Sequence, residues 1–126
     1  MLVLDSGAVT KLAKRTIQNS AYIATLLHDG AWPPVVPTVV LVESLTGRAG
    51  PDANVNRLLA TCTIVTKISE VTARRAARLR LLARRGSAVD AMVVALAEPS
   101  GTVLTGDAED LRALVAHSAG VVIETI

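Results

Sequence analysis

Five short apolar runs, each separated from the next by stretches of helical character, constrain this chain more than any other feature. Leu2 to Leu4, Val35-Val36 within Pro33 to Pro37, Thr63 to Thr66, Thr102 to Thr105 and Val121 to Ile123 read as strands. Strands that are apolar on both faces indicate a parallel sheet covered by helices on each side. The expected fold class is therefore α/β, a three-layer α/β/α sandwich with a short, mostly parallel sheet. The Leu2–Leu4 and Val103–Thr105 strands are expected to be neighbours. Ligands of such folds sit at the carboxyl ends of the strands, near the switch in strand order.

The helices are expected from their start and stop signals. They run from Ser6 to about Arg15, from Asn19 or Ser20 to Leu27, and from Val39 to Thr46 with Thr38 as cap and Gly47 as stop. Asp52 is placed to cap a helix through Ala60, and Ser69 a long one to about Arg85 closed by Gly86. Ser87 with Asp90 three residues on is the capping-box pattern for a helix through Glu98. A last helix is expected from Asp107 to about Ala116.

Length and composition set the outer bounds. At 126 residues the chain is expected to form one domain, residues 1–126. Hydrophobic residues make up 51% of it, enough for a core with apolar surface left for a second copy or a partner. The single cysteine, Cys62, excludes a disulfide framework and a thiolate metal site. With Trp32, Tyr22 and no Phe, the chain lacks the rings on which single-stranded bases stack, so a nucleic acid would be held by phosphates and shape. No run approaches the ~18 apolar residues of a membrane span, and the start lacks a signal-peptide pattern. A soluble, cytoplasmic protein is expected.

Four acids stand where a carboxylate is poorly explained as surface decoration. Asp5 ends Met1-Leu2-Val3-Leu4, Glu43 follows Val39-Val40-Leu41-Val42, Asp90 opens Ala91-Met92-Val93-Val94, and Asp107 follows Val103-Leu104-Thr105-Gly106. Each of the three aspartates also has a plain structural role open to it. Asp5 can cap the helix from Ser6, Asp90 can complete the Ser87 box, and Asp107 can cap the last helix with Asp110 as its box partner. Glu43 has no such role, because it lies inside a helix among apolar residues, where a buried carboxylate needs a cation or a hydrogen-bonded mate. Two like charges ~5 Å apart repel by roughly 3 kcal/mol at an effective dielectric of 20. A divalent ion relieves that conflict, and carboxylate oxygens are the ligands that Mg²⁺ or Mn²⁺ takes. The quartet is accordingly read as a metal site suited to phosphodiester chemistry.

A second cluster is basic: Arg74, Arg75, Arg78, Arg80, Arg84 and Arg85 crowd one helix. A solvated face is the default for such a run, and a phosphate-contacting or partner-docking stripe is the functional alternative. Glu109 and Asp110 read as solvated first-turn acids, and His28 and His117 as surface residues. Ser6 and Thr105 adjoin acids and can orient them by hydrogen bonds.

Four segments in this order resemble the PIN-domain ribonucleases, specifically the VapC toxins of bacterial VapBC toxin–antitoxin pairs. They are Leu2-Val3-Leu4-Asp5-Ser6-Gly7-Ala8, Pro37-Thr38-Val39-Val40-Leu41-Val42-Glu43, Val89-Asp90-Ala91-Met92-Val93-Val94-Ala95-Leu96-Ala97 and Val103-Leu104-Thr105-Gly106-Asp107-Ala108-Glu109-Asp110-Leu111. The resemblance implies a PIN-like sandwich with Asp5, Glu43, Asp90 and Asp107 as the catalytic acids. It implies Asp5, Asp90 and Asp107 as ligands of Mg²⁺ or Mn²⁺, with Glu43 on a second ion or on the attacking water. Gly7 stands where that family commonly carries Ser or Thr, and Gly106 is bare before the fourth acid. The implied reaction is hydrolysis of structured RNA such as tRNA or rRNA. The implied partners are a VapB-like antitoxin, through which alone the chain would meet DNA, and a second copy in a homodimer.

Two other readings compete. A response-regulator receiver shares the five-stranded sheet and an acidic magnesium site, but needs a second acid beside Asp5 and a Lys near the last strand, and neither Ser6 nor Val121-Val122-Ile123 supplies them. A catalytically silent PIN-like binding module would not need its carboxylates intact.

Overall fold

The computed structural model describes residues 1–126. Its strands are β1 (Leu2–Leu4), β2 (Val35–Pro37), β3 (Thr63–Val65), β4 (Thr102–Thr105) and β5 (Val122–Thr125). Its helices are α1 (Ser6–Leu12), α2 (Ile17–His28), α3 (Thr38–Ser44), α4 (Ala53–Leu59), α5 (Glu70–Ala83), α6 (Ala88–Ala97) and α7 (Glu109–Val115).

All four strand pairings are parallel, in the order β3-β2-β1-β4-β5. β1 and β4 are adjacent, with Leu4 opposite Leu104. The chain lays strands outward on one side of β1, then returns to lay β4 and β5 on the other. The switch in strand order therefore falls between β1 and β4. This order also removes the receiver reading, since that doubly wound fold runs 2-1-3-4-5.

Helices α1, α3 and α4 pack together on one side, and α5, α6 and α7 on the other. Both α1 and α6 touch β1 and β4, which places the central strands between two helical layers. Val3, Leu4, Val103 and Leu104 are fully buried, as a doubly covered sheet requires. The edge strands β3 and β5 are partly exposed. Val9, Val36, Val40, Leu79, Val94 and Leu114 fill the layers around them.

Several helix ends depart from the sequence expectation. α1 stops at Leu12, well before Arg15. α2 starts at Ile17 rather than Asn19 or Ser20, because Thr16 caps it by accepting from the Asn19 N–H at 3.1 Å. Thr38 is the first residue of α3 and not its cap. Asp52 precedes α4 but makes no cap bond there. Its buried carboxylate turns back to accept from Thr46 N (2.8 Å), Thr46 Oγ1 (2.9 Å) and Gly47 N (2.9 Å). These bonds, led by the Thr46 N–H, hold it below the usual carboxylate range and tie down the α3–α4 loop. Ser69 and the Ser87–Asp90 capping box act as the sequence indicates. α7 begins at Glu109, with Asp107 two residues outside it.

Candidate active site

The site is built where β1 and β4 end. Asp5 leaves β1 with extended backbone and caps α1, its Oδ1 accepting from the Ala8 N–H at 2.7 Å. Its Oδ2 accepts from the hydroxyl of Thr105, the last residue of β4, which is itself fully buried. The same hydroxyl accepts from the Asp107 N–H at 3.1 Å. Thr105 thus joins the turn after β1 to the turn after β4, and the parallel pairing of Leu4 with Leu104 makes that reach possible.

Asp107 is exposed, and its Oδ1 accepts from the Glu109 N–H at 3.1 Å. The capping box with Asp110 does not form, because Ala108 and not Asp107 is the cap residue of α7; Asp110 is engaged by Arg85 at 3.1 Å. Asp90 is half-buried in the first turn of α6, where its Oδ2 accepts from the Ser87 N–H at 3.2 Å. α6 rests on β1 and β4, which brings its amino end beside Asp5. Asp5, Ser6, Gly7, Asp90, Asp107 and Glu109 line one cleft of about 240 Å³, together with Asp110 and Leu111.

For all three aspartates, the structural and the functional readings coexist. Each carboxylate makes a cap or turn bond and still retains acceptor capacity, since an ionised carboxylate offers about four lone-pair positions. Burial pushes the Asp5 carboxyl up, the Thr105 and Ala8 bonds pull it down, and the charges of Asp90 and Glu43 push it up again; the net shift is upward. Asp5 is therefore strained as an anion.

Glu43 corrects an expectation. It is exposed, beside an 81% exposed Val42, and it does not line the cleft. The buried residues of the short helix α3 are Val40 and Ser44, while Glu43, three residues after Val40, is exposed. The argument from a buried, mateless Glu43 therefore falls, although its charge still reaches Asp5. The donor set suits a hard divalent cation, being all carboxylate oxygen with unrelieved repulsion. The side chains are not drawn into a closed shell of three or more ligands.

The arginine run is not one stripe. Arg74 pairs with Glu70 along its own helix, and Arg75 forks onto Glu98 at 2.8 and 2.9 Å and onto the His117 carbonyl at 3.0 Å. Arg85 donates to Glu109 at 2.9 Å and Asp110 at 3.1 Å, on the cleft's rim. Glu109 and Asp110 are therefore not merely solvated first-turn acids. Their spacing of two and three residues after Asp107, on one helix end, was the signal for their place in the cleft. His28 and His117 are exposed and lie outside the cleft. Cys62 is half-buried, and burial pushes its thiol up, as suits a packing residue.

No protein-family model matches the chain, and no curated protein matches it in sequence. In fold it is similar to VapBC2 from Rickettsia felis, whose crystal structure was solved bound to a DNA fragment from their promoter. The TM-score is 0.70 at 12% identity, over 99% of this chain and 98% of that one. It is also similar to PAE2754 from Pyrobaculum aerophilum, with a TM-score of 0.64 at 18% identity, over 97% of this chain and 89% of that one. The fold is the three-layer PIN-like sandwich.

Proposed function

We propose that this chain is a PIN-type, metal-dependent endoribonuclease, the toxin of a type II toxin–antitoxin pair, formed as one domain over residues 1–126. One observation carries the reading: aspartates from three separate elements, Asp5, Asp90 and Asp107, line a single cleft at the β1/β4 switch in strand order. Ligand sites of parallel α/β folds occur at that place. In this reading Asp5, Asp90 and Asp107 hold Mg²⁺ or Mn²⁺, and Glu43 acts from the rim on a second ion or on the attacking water. A cation held there would supply an activated water and offset charge on the phosphodiester. The chain's own part is to fix the carboxylates: Ala8 and Thr105 hold Asp5, Ser87 holds Asp90, and the Glu109 N–H holds Asp107.

The proposed substrate is structured RNA, tRNA or rRNA, met in the cytoplasm. With so few aromatic rings, binding rests on phosphates and shape. The likeness to VapBC2 from Rickettsia felis supports a VapB-like antitoxin as partner, and contact with DNA only through it. A cavity of about 470 Å³ where Leu12, Ile23 and Trp32 meet Lys14 and Arg57 offers that antitoxin an apolar seat with a basic rim. Val42, Val71 and Leu81 are each exposed by 65% or more and supply apolar surface for a homodimer. No helix is long and apolar enough to cross a membrane.

Cleavage of tRNA and rRNA by the purified chain, with and without Mg²⁺, Mn²⁺ and chelator, tests the reading. Metal-dependent cleavage that disappears in Asp5→Asn is the expected result. Full cleavage in excess chelator, or equal cleavage by the variant, overturns it.

A further inference from the structure

The cleft poses an electrostatic problem for a polyanionic substrate. Asp5, Asp90, Asp107, Glu109 and Asp110 all line it, and a nucleic acid approaching such a mouth is repelled unless a cation waits there. Lys11 is close by, but its ammonium is directed to the carbonyls of Ile126 at 2.7 Å and Gly106 at 3.4 Å. Arg85 is the cation bound to the cleft's own lining, through Glu109 and Asp110.

Local structure presents that side chain deliberately. Arg84 ends α5 in the left-handed region at φ 55, and Gly86 follows Arg85 at φ 89. A Cβ at Gly86 would come within 2.7 Å of Leu114 Cδ1, so the turn presses directly on α7. Leu114 lies near the carboxyl end of α7, and the Arg85 side chain, 51% exposed, reaches the amino end of that helix through Glu109 and Asp110. Nε serves Asp110, and Nη2 serves Glu109 while lying 3.0 Å from Asp110 Oδ1, which leaves the two Nη1 hydrogens without a carboxylate partner. Exposed ion pairs of this kind are weak and exchange readily. The planar fork matches a phosphate as well as it matches a carboxylate.

Resting on the nuclease reading above, we propose that Arg85 is a substrate-phosphate ligand at the mouth of the cleft, with Glu109 and Asp110 as the resident anions that an RNA phosphate displaces. The two carboxylates then act as competitors for Arg85. Removing the arginine and removing its acidic partners must have opposite effects on substrate binding. A staple that only fastens α5 to α7 predicts the same loss of melting temperature from both, and a KM gain from removing the acids that is undiminished when Arg85 is also removed.

The test is steady-state cleavage of bulk tRNA in Mg²⁺ by the wild type, Arg85→Ala, Arg85→Lys, the Glu109→Gln/Asp110→Asn double variant and the corresponding triple variant with Arg85→Ala. Arg85→Ala is expected to raise KM about tenfold with kcat changed less than about threefold, the mark of lost substrate binding. Arg85→Lys should restore part of it, as a point charge without the fork. The double variant should lower KM, and that gain should shrink in the triple to what the loss of two repulsive charges alone supplies. In an Asp5→Asn background, tRNA binding should lose about 0.7 to 0.9 of its log–log salt slope when Arg85 is replaced. KM and melting temperature moving the same way in Arg85→Ala and the double variant would overturn the assignment. So would unchanged tRNA binding with a loss of affinity for a protein partner alone. A wild type that cleaves no RNA in any metal removes the nuclease reading, and this proposal with it.

Discussion

Gly7, which lines the cleft, and Gly106 meet backbone to backbone. A Cβ on Gly7 would lie 3.2 Å from Gly106 N, and one on Gly106 would lie 3.2 Å from Gly7 O. One glycine follows Asp5 by two residues and the other precedes Asp107 by one. Their contact lets the turn after β1 and the turn after β4 close on each other. The two glycines are thus a matched pair, each with little room for a side chain because the other is near.

Gly106→Ala is expected to cost about 1–3 kcal/mol, the range for forcing extra volume into a packed site. Lys11 Cδ, 3.3 Å from the new methyl, can move aside, but the Gly7 carbonyl cannot without shifting α1. The separation of Asp5 from Asp107 should grow, so Mn²⁺ affinity should fall together with melting temperature. A variant that melts and binds Mn²⁺ like the wild type would show that the contact is slack.

Thr105→Val removes the one hydroxyl shared by Asp5 and Asp107 while keeping the side chain's shape. A buried carboxylate oxygen and a backbone N–H lose their partner, at a cost of about 1–3 kcal/mol. Asp5 should then titrate still higher, because the Thr105 bond is the largest influence lowering it. Cleavage should drop by roughly 10- to 100-fold, as for other groups that orient a metal ligand. Thr105→Ser should recover most of the loss, which separates the hydroxyl's role from packing.

Much of this architecture could be read along the chain, because its signals are local. Apolar runs such as Val103-Leu104 can be satisfied only between two helical layers, and the Ser87–Asp90 box closes within three residues. What escaped depends on geometry between distant segments. Asp52 looks like a helix cap, yet its bonds go back to Thr46 and Gly47. Glu43 has apolar neighbours in sequence and follows Val40 by three residues, yet it is exposed near the end of a seven-residue helix. Arg85 finds its carboxylates 24 and 25 residues away, so no helical spacing could reveal the pair.

Arg75 and Glu98 lie far from the cleft, since Glu98 follows the carboxyl end of α6 while Asp90 sits at its amino end. The Arg75 fork, helped by the Ala119 N–H at 2.7 Å, holds the Glu98 carboxyl below its usual range. A depressed folded value means stability that is present above the ordinary value of 4.5 and is lost as pH falls through the lower folded one. Glu98→Gln should cost about 1–2 kcal/mol near neutrality and flatten the acid limb of a melting-temperature profile. RNA cleavage at temperatures where both proteins are folded should be equal. A loss of kcat without a loss of stability would contradict a purely structural role for this pair.

Asp5 has the opposite sign. Its carboxyl is raised, chiefly by burial, so the folded protein holds that proton more tightly than the unfolded chain does. The linked stability is fully present below the ordinary value of 3.8 and is lost as pH rises through the higher folded value. The metal-free protein should therefore lose stability across that interval, while Asp5→Asn should not, leaving the variant the more stable of the two at neutral pH. Asn keeps an acceptor for the Ala8 N–H, and the Thr105 hydroxyl can turn to accept from its amide, so the fold has no reason to fail. Adding Mg²⁺ or Mn²⁺ should raise the wild type's melting temperature and close the gap, because a ligand of the native state stabilises it by mass action. Cleavage by Asp5→Asn should meanwhile fall further than the roughly 10- to 100-fold typical of outer partners. A metal-free Asp5→Asn that melts below the wild type at neutral pH, or a wild type whose melting ignores both cations, would count against Asp5 as a strained metal ligand.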